Sequence, residues 1–460
     1  KRNKLSNAQR EWLQTVLMGI LITNSVSWAK IERHTLGTYS TSALCWMFCH
    51  TKILWNMLLY ASVAHILKTY NITSGVLVLD DTDRSRSRGT KSIAYVHKMK
   101  DKKTGGFFNG QSIVQLLLVT DTFSIPVGFQ FYQPDPAIAA YKKALTKYKN
   151  DTKIDGTYSR KLLTKTEFDQ LLVKGFDAND YVAYETDTHK VMIYDVANQK
   201  HKQISLKKAK RDIHFDKTQN ILIISHNKMK QLFINYMGYV NTSKKPQEPR
   251  PSAQYPTKLE IAAELVKQFT EEFPELTIKA TVMDAGYSKR ATVADIIAAT
   301  KQLQVVTQIK NTQLVTIDGK EIAVKAAFDH TQDITTTVML RGTATIVTYC
   351  NMKAVVNSHN SKYTIIALKY ANETEYRYLI ANDCTWRDVD IIRVYALRWL
   401  VEVFFEDWKA NGGWNALAMQ RGDDGSLRVV ILSLLIDHMI ILHPDQQALL
   451  KNNSPAATVG

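Results

Sequence analysis

Cysteine is scarce in this chain: Cys45, Cys49, Cys350 and Cys384 are the only four in 460 residues, and no two form a Cys-x2-Cys pair. That excludes a disulfide framework and a paired-cysteine metal site, and it fits a reducing, cytoplasmic compartment. Cys45 and Cys49, four apart with His50 beside them, read as small core residues rather than zinc ligands. Long apolar runs are also missing. No segment reaches the roughly 18 apolar residues that cross a bilayer. Val16 to Ile22 imitates a signal peptide, but Glu11 and Gln14 precede it and it reads as a core helix. The chain opens at Lys1, so part of a native N-terminus is expected to be missing. Acidic residues are in deficit, 43 against 59 basic ones, leaving a net charge of +16. An excess of that size favours a polyanionic partner and weighs against a metal phosphohydrolase of small substrates. What remains is an ordinary globular composition, 45% hydrophobic and 22% charged, long enough for two or three domains.

The most informative stretch runs from Tyr395 to Lys409. On one helix, Tyr395, Arg398, Glu402 and Lys409 would project within about a sixth of the circumference. Leu397, Trp399, Leu400, Val401, Val403, Phe404 and Phe405 would bury the remainder. The plain alternative is a solvated stripe with Arg398 and Glu402 as an ordinary helical ion pair.

The spacing Tyr-x2-Arg-x3-Glu-x6-Lys resembles the signature of the Insertion Sequence 4 family of DDE transposases. That resemblance covers roughly residues 76–136 and 257–442. It implies an α/β fold with a ribonuclease-H-like catalytic core, an N-terminal helical domain and a β-rich insertion before the last catalytic helix. It also implies that Glu402 is the third catalytic carboxylate and that Tyr395, Arg398 and Lys409 contact the transposon end. Two upstream aspartates on strands are then required.

The chain supplies candidates for both. Residues 1–72 read as helical, with apolar residues at threes and fours. The break at Thr35 to Thr41 could be the turn of a helix-turn-helix reading DNA near Ser40 and Ser42, or a plain bundle turn. A core segment spans 73–140. Gly75-Val-Leu-Val-Leu-Asp80-Asp81-Thr82-Asp83 is a short apolar strand ending in acids. The family pattern puts the catalytic residue at Asp81, with Asp80 or Asp83 as helpers. Arg84, Arg86, Arg88 and Lys91 follow, a basic loop suited to phosphates or simply a solvated turn. Residues 110–119 and 125–132 read as a hairpin turning at Asp121 and Thr122.

Residues 141–256 form a basic insertion with short strands near 181–184, 191–195 and 221–225. It is a candidate DNA contact or a solubilising insert. In 257–302, Lys258 to Phe273 is an amphipathic helix, Leu276 to Met283 a strand, and Asp284 the second acid, followed by a helix. Asp284 taken alone also fits a helix cap. The 118 positions from Asp284 to Glu402 leave room for the β-rich insertion, 303–383, with turns at Asp318-Gly319 and Arg341-Gly342. Relatives open the last strand there with a Trp that stacks on a flipped base. Here Tyr378 takes the place and Trp386 lies beyond. In the last segment, 384–460, a helix from Leu427 to Leu442 is either core or dimer-forming, and His438 reads as a satisfied core residue.

The chemistry this implies is phosphodiester cleavage and strand transfer. Asp81, Asp284 and Glu402 would bind two Mg2+ ions, with Mn2+ as a substitute. The expected partners are double-stranded DNA, as terminal inverted repeats and target, and a second copy of the chain in a synaptic dimer. No membrane is involved. Two alternatives stay open: a nuclease or resolvase without strand transfer, and a domesticated, catalytically silent DNA-binding protein.

Overall fold

The computed structural model describes residues 4–86, 93–101, 104–120, 123–151, 163–174, 181–185, 188, 191–195, 198–204, 213–216, 221–224, 232–235, 246–301, 304–340, 343–371, 373–412 and 422–445. Arg88, Lys91 and the expected turns at Asp121-Thr122 and Arg341-Gly342 lie outside them. The chain divides into two compact units, Lys1–Pro134 with Ala253–Gly460, and Asp135–Ser252. Among the described residues, no helix is long and apolar enough to cross a membrane, and the four cysteines are free thiols.

The first unit opens with four helices, α1 (Asn7–Thr23), α2 (Trp28–His34), α3 (Thr41–His50) and α4 (Trp55–Thr69). Ser6 starts α1 with a reciprocal capping box and Ser40 caps α3 by accepting from the Ala43 amide. Trp12, Trp28, Phe48 and Trp55 meet ring to ring as the core of these helices. Ser40 and Ser42 stand exposed at the start of α3.

A twelve-stranded mixed sheet follows. Its strands are β1 (Ser74–Arg86), β2 (His97–Lys100), β3 (Phe107–Val119), β4 (Ser124–Tyr132), β5 (Thr277–Met283), β6 (Gln304–Ile309), β7 (Leu314–Ile317), β8 (Lys320–Ala323), β9 (Ile334–Leu340), β10 (Thr343–Val356), β11 (Ser361–Tyr370) and β12 (Arg377–Ala381). The order is β8-β7-β10-β11-β12-β6-β5-β1-β3-β2, with β4 on β3 and β9 on β10. Only β6, β5 and β1 run parallel to their neighbours in that trio. These strands are covered on both faces, which is why Val76 to Leu79 is an unbroken apolar run rather than an alternating one. Asp318 and Gly319, both with positive φ, make the tight turn between β7 and β8.

One face of the sheet carries α5 (Lys258–Glu272) and α6 (Arg290–Ala299), packed on Leu77, Leu79, Val114 and Leu116. Thr257 and Glu260 form the capping box that starts α5. The other face carries α7 (Asp388–Ala396), α8 (Trp399–Asn411) and α9 (Gly422–Ile441), packed on Val76, Val78 and Val282. Helix α9 is buried at every position from Val429 to Ile436, so it is a core helix of this unit. His438 is satisfied inside it, Nδ1 2.9 Å from the Ser62 hydroxyl and Nε2 2.9 Å from the Pro126 carbonyl.

The second unit contains strands at Tyr181–Glu185, Val191–Asp195 and Lys200–Ile204, which form an antiparallel run, and a separate three-stranded sheet of Ile213–Asp216, Ile221–Ile224 and Leu232–Asn235.

Candidate active site

The direction each acid faces follows from the register of β1. Val76 and Val78 belong to the core under α7–α9, whereas Leu77 and Leu79 belong to the core under α5 and α6. Side chains alternate along a strand, so Asp80 continues the first set and Asp81 the second. In the parallel ladder with β5, Val78 pairs with Val282 and Leu79 with Met283. The next step sets Asp80 beside Asp284, both at the α8 face.

The contacts agree. Arg398 Nη1 lies 3.2 Å from Asp80 Oδ2, and Arg398 Nη2 donates to Glu402 Oε1 at 2.7 Å. One guanidinium therefore joins the first acidic strand to the acid on α8. Burial pushes the Asp80 carboxyl up to about 7, the negative charges of Asp81 and Asp284 push the same way, and Arg398 opposes them. Asp284 turns its Oδ1 to the Ala285 amide at 2.7 Å, capping the short 3-10 turn Ala285–Tyr287. The Thr307 hydroxyl on β6 ties down its carbonyl.

Asp81, the expected first catalytic acid, faces the other way. Lys258 at the start of α5 lies 2.5 Å from its Oδ2, and the Tyr287 hydroxyl donates to Oδ1 at 2.9 Å. Both partners hold it, so in this structure Asp81 ties β1 to α5 and to the turn that carries Asp284. Burial, then the charge of Asp81, raises the Tyr287 phenol, which stays protonated as the donor.

The expected single helix from Tyr395 to Lys409 is two helices. Helix α7 ends at Ala396 and α8 starts at Trp399, with tight three-residue bonds from Leu397 to Val394 and from Arg398 to Tyr395 between them. The projection of four side chains onto one stripe fails at that break. Tyr395 is buried, at 3% exposure, with its hydroxyl on Gln308 Oε1 at 2.9 Å. It is a buried residue beneath the site, beside Arg398, rather than one exposed on a surface stripe. Lys409 is half-buried over the Phe405 ring. Burial lowers its ammonium pKa, the charge of Asp83 opposes this and Arg84 adds to it. It thus stands near the end of β1, beyond the acids. Tyr378 is buried against Phe328 and Trp386 is partly buried against the main core, so neither presents an open ring for a flipped base.

The structure thus brings together Asp80, Asp284, Arg398 and Glu402, with Lys409 further along; Tyr395 lies buried beside Arg398, and Asp81 turns to Lys258 and Tyr287 on the other face of β1. Lys258, Tyr287 and Gln308 were missed by sequence reasoning. No local signal could have exchanged Asp80 for Asp81, because β1 is apolar on both faces from Val76 to Leu79. Among the described residues, no three Asp, Glu, His or Cys side chains are arranged to hold a metal ion as they stand.

A family model described as archaeal putative transposase ISC1217 matches residues 185–442, just over half of the chain. The match includes Asp284 and the whole 395–409 segment, and begins after β1. No curated protein matches the chain.

Proposed function

The chain belongs to the archaeal putative transposase family ISC1217, of DDE type, and from that premise we propose that it excises and reinserts its own mobile element by cut-and-paste DNA cleavage and strand transfer. The observation that carries this reading is the Arg398 bridge between Asp80 and Glu402, with Asp284 directly after the next parallel strand. Asp80 and Glu402 share Arg398, and Asp284 neighbours Asp80 at the end of the adjacent parallel strand. In this reading the parallel trio with helices on both faces is a ribonuclease-H-like core, and the Arg-x3-Glu-x6-Lys part of the Insertion Sequence 4 spacing keeps its functional meaning.

The donor set fits divalent magnesium. It consists of carboxylate oxygens without sulfur or imidazole, the ligand type magnesium selects. Burial, and after it the negative charges of Asp81 and Asp284, keep the Asp80 carboxyl protonated up to about pH 7, and a bound cation would offset both. Asp80, Asp284 and Glu402 would hold the ions, with Mn2+ as a substitute. When bound, such ions activate the attacking oxygen and stabilise the leaving one.

The chain's own residues do the rest. Arg398 bridges Asp80 and Glu402, and its planar fork is of the kind that would grip a phosphate flanking the cut were the carboxylates to hold the ions. Lys409 supplies a second cation further along. Asp81 and Tyr287 fix the turn that aims Asp284. A synaptic homodimer acting in the cytoplasm on paired inverted repeats completes the reading.

The test is a magnesium-dependent cleavage and joining assay on DNA carrying the flanking ends of the gene's own locus. Nicking and joining by the wild type, lost in Glu402→Gln, is expected. Nicking without joining would favour a nuclease or resolvase. End-binding without chemistry in either protein would indicate a domesticated binder. Within the same assay Asp80→Asn is expected to be inactive and Asp81→Asn to retain metal-dependent nicking. The reverse result would return the first ligand to Asp81.

A further inference from the structure

Beyond the acids, β1 continues for six residues to Arg86, about 20 Å along the strand. It stays paired with β3, and β3 with β2, as a three-stranded ribbon leading away from the site. The ribbon's two faces are sharply sorted. Asp80 pairs with Gln115, Thr82 with Ile113, Arg84 with Gln111 and Arg86 with Asn109. Lys98 pairs with Asn109 and Lys100 with Phe107. Directly paired residues share a face, and Ile113 lies in the core under α8. Arg84, Arg86, Lys98 and Lys100 therefore all stand on the face of Arg398 and Glu402. The opposite face carries Asp83, Ser85, His97 and Met99, with no lysine or arginine from β1 or β2.

Random placement does not readily put four cations of two strands on one side and an acid on the other. Lys98 and Lys100 are exposed on the edge strand, and Lys98 lies 4.4 Å over the centroid of the Phe107 ring, itself 61% exposed. Arg86 is half-buried, which together with Arg84 lowers its pKa to about 10, and its Nε donates to Gln111 Oε1 at 2.9 Å, so it adds charge behind the exposed Lys98 and Lys100. A row of cations beginning at a phosphodiester-cleaving site has one complementary partner of matching length. A stretch of about 20 Å corresponds to roughly six base pairs of duplex.

We propose that the β1–β3–β2 ribbon is a docking surface for the phosphate backbone of duplex DNA adjoining the cleavage point, with Lys98 and Lys100 as its outer contacts. This rests on the transposase reading of the acids. It adds the side of the molecule along which the duplex lies.

The test is the salt dependence of binding of the full chain to a duplex carrying the element's end. Each lost phosphate contact lowers the slope of log K against log salt by about 0.9, so Lys98→Gln with Lys100→Gln is expected to lower it by about 2 and to weaken binding about 60-fold near 0.1 M salt. Lys98→Arg with Lys100→Arg should restore the wild-type slope. Lys320→Gln, on the hairpin at the far edge of the sheet, should leave it unchanged. An unchanged slope in the double glutamine variant, with wild type binding normally, overturns the proposal alone. An equal loss in Lys320→Gln also overturns it, since bulk charge would then explain the effect. Failure of the wild type to bind the duplex would instead remove the transposase reading, and this surface with it.

Discussion

Replacing Asp80 by asparagine should make the metal-free protein more stable at neutral and alkaline pH. In the folded chain the Asp80 carboxyl ionises at about 7, against an ordinary value of 3.8. Its cause is first burial and then the charges of Asp81 and Asp284, only partly offset by the hydrogen bond from the Asp81 amide and by Arg398. A group with a raised folded value holds its proton better when folded. Its contribution is therefore fully favourable below about pH 4, declines as the unfolded chain loses the proton first, and is gone once the pH has risen through 7. At about 1.4 kcal/mol per pH unit, the loss approaches 4 kcal/mol. The side chain is only 15% exposed, so solvent screening takes little of this. Asparagine never ionises, but its one oxygen can accept from only one of the two donors Asp80 now serves, Arg398 Nη1 and the Asp81 amide, which takes about 1 kcal/mol from the gain. Urea unfolding in the presence of a chelator should show the two proteins nearly equal at pH 4.5 and the variant ahead by about 3 kcal/mol at pH 8. Magnesium should then stabilise the wild type and not the variant. A gap that is independent of pH, or a variant less stable at pH 8, would refute the placement of Asp80 in a crowded acidic site.

Tyr395→Phe removes one buried hydrogen bond to Gln308 and should cost about 1 kcal/mol in urea unfolding while leaving duplex affinity unchanged; a large loss of affinity at full stability would restore a DNA contact for this residue. His438 is held neutral, its value lowered to about 4 by burial. That contribution is present above about 6.5 and lost as the pH falls through 4, so wild-type stability should drop by about 3 kcal/mol over that window and His438→Gln should show a flatter acid limb.

How much of this was readable beforehand differs from element to element. The apolar stripe Ile261, Ala262, Leu265, Val266 and Phe269 marked α5 to within a residue of its observed end, because an amphipathic helix writes its period into the sequence. The β3–β4 hairpin, the strand before Asp284 and the turn at Asp318-Gly319 were legible for similar local reasons. The transposase assignment was carried by four spaced residues in 395–409, a segment within the matched family span.

The sequence by itself determined which residues are apolar, where the acids fall at strand ends, and the basic excess that calls for a polyanion. It could not determine which of Asp80 and Asp81 turns toward Glu402. A strand buried on both faces shows no alternation, so its facing is set only by the parallel ladder to β5, some 200 residues later. Nor could it show the break between α7 and α8, where Ala396, Leu397 and Arg398 include neither glycine nor proline. There the tertiary structure decided, by burying Tyr395 against Gln308 and drawing Arg398 to an aspartate 318 positions away. Local propensity has no access to partners at that separation, which only the assembled sheet brings within reach.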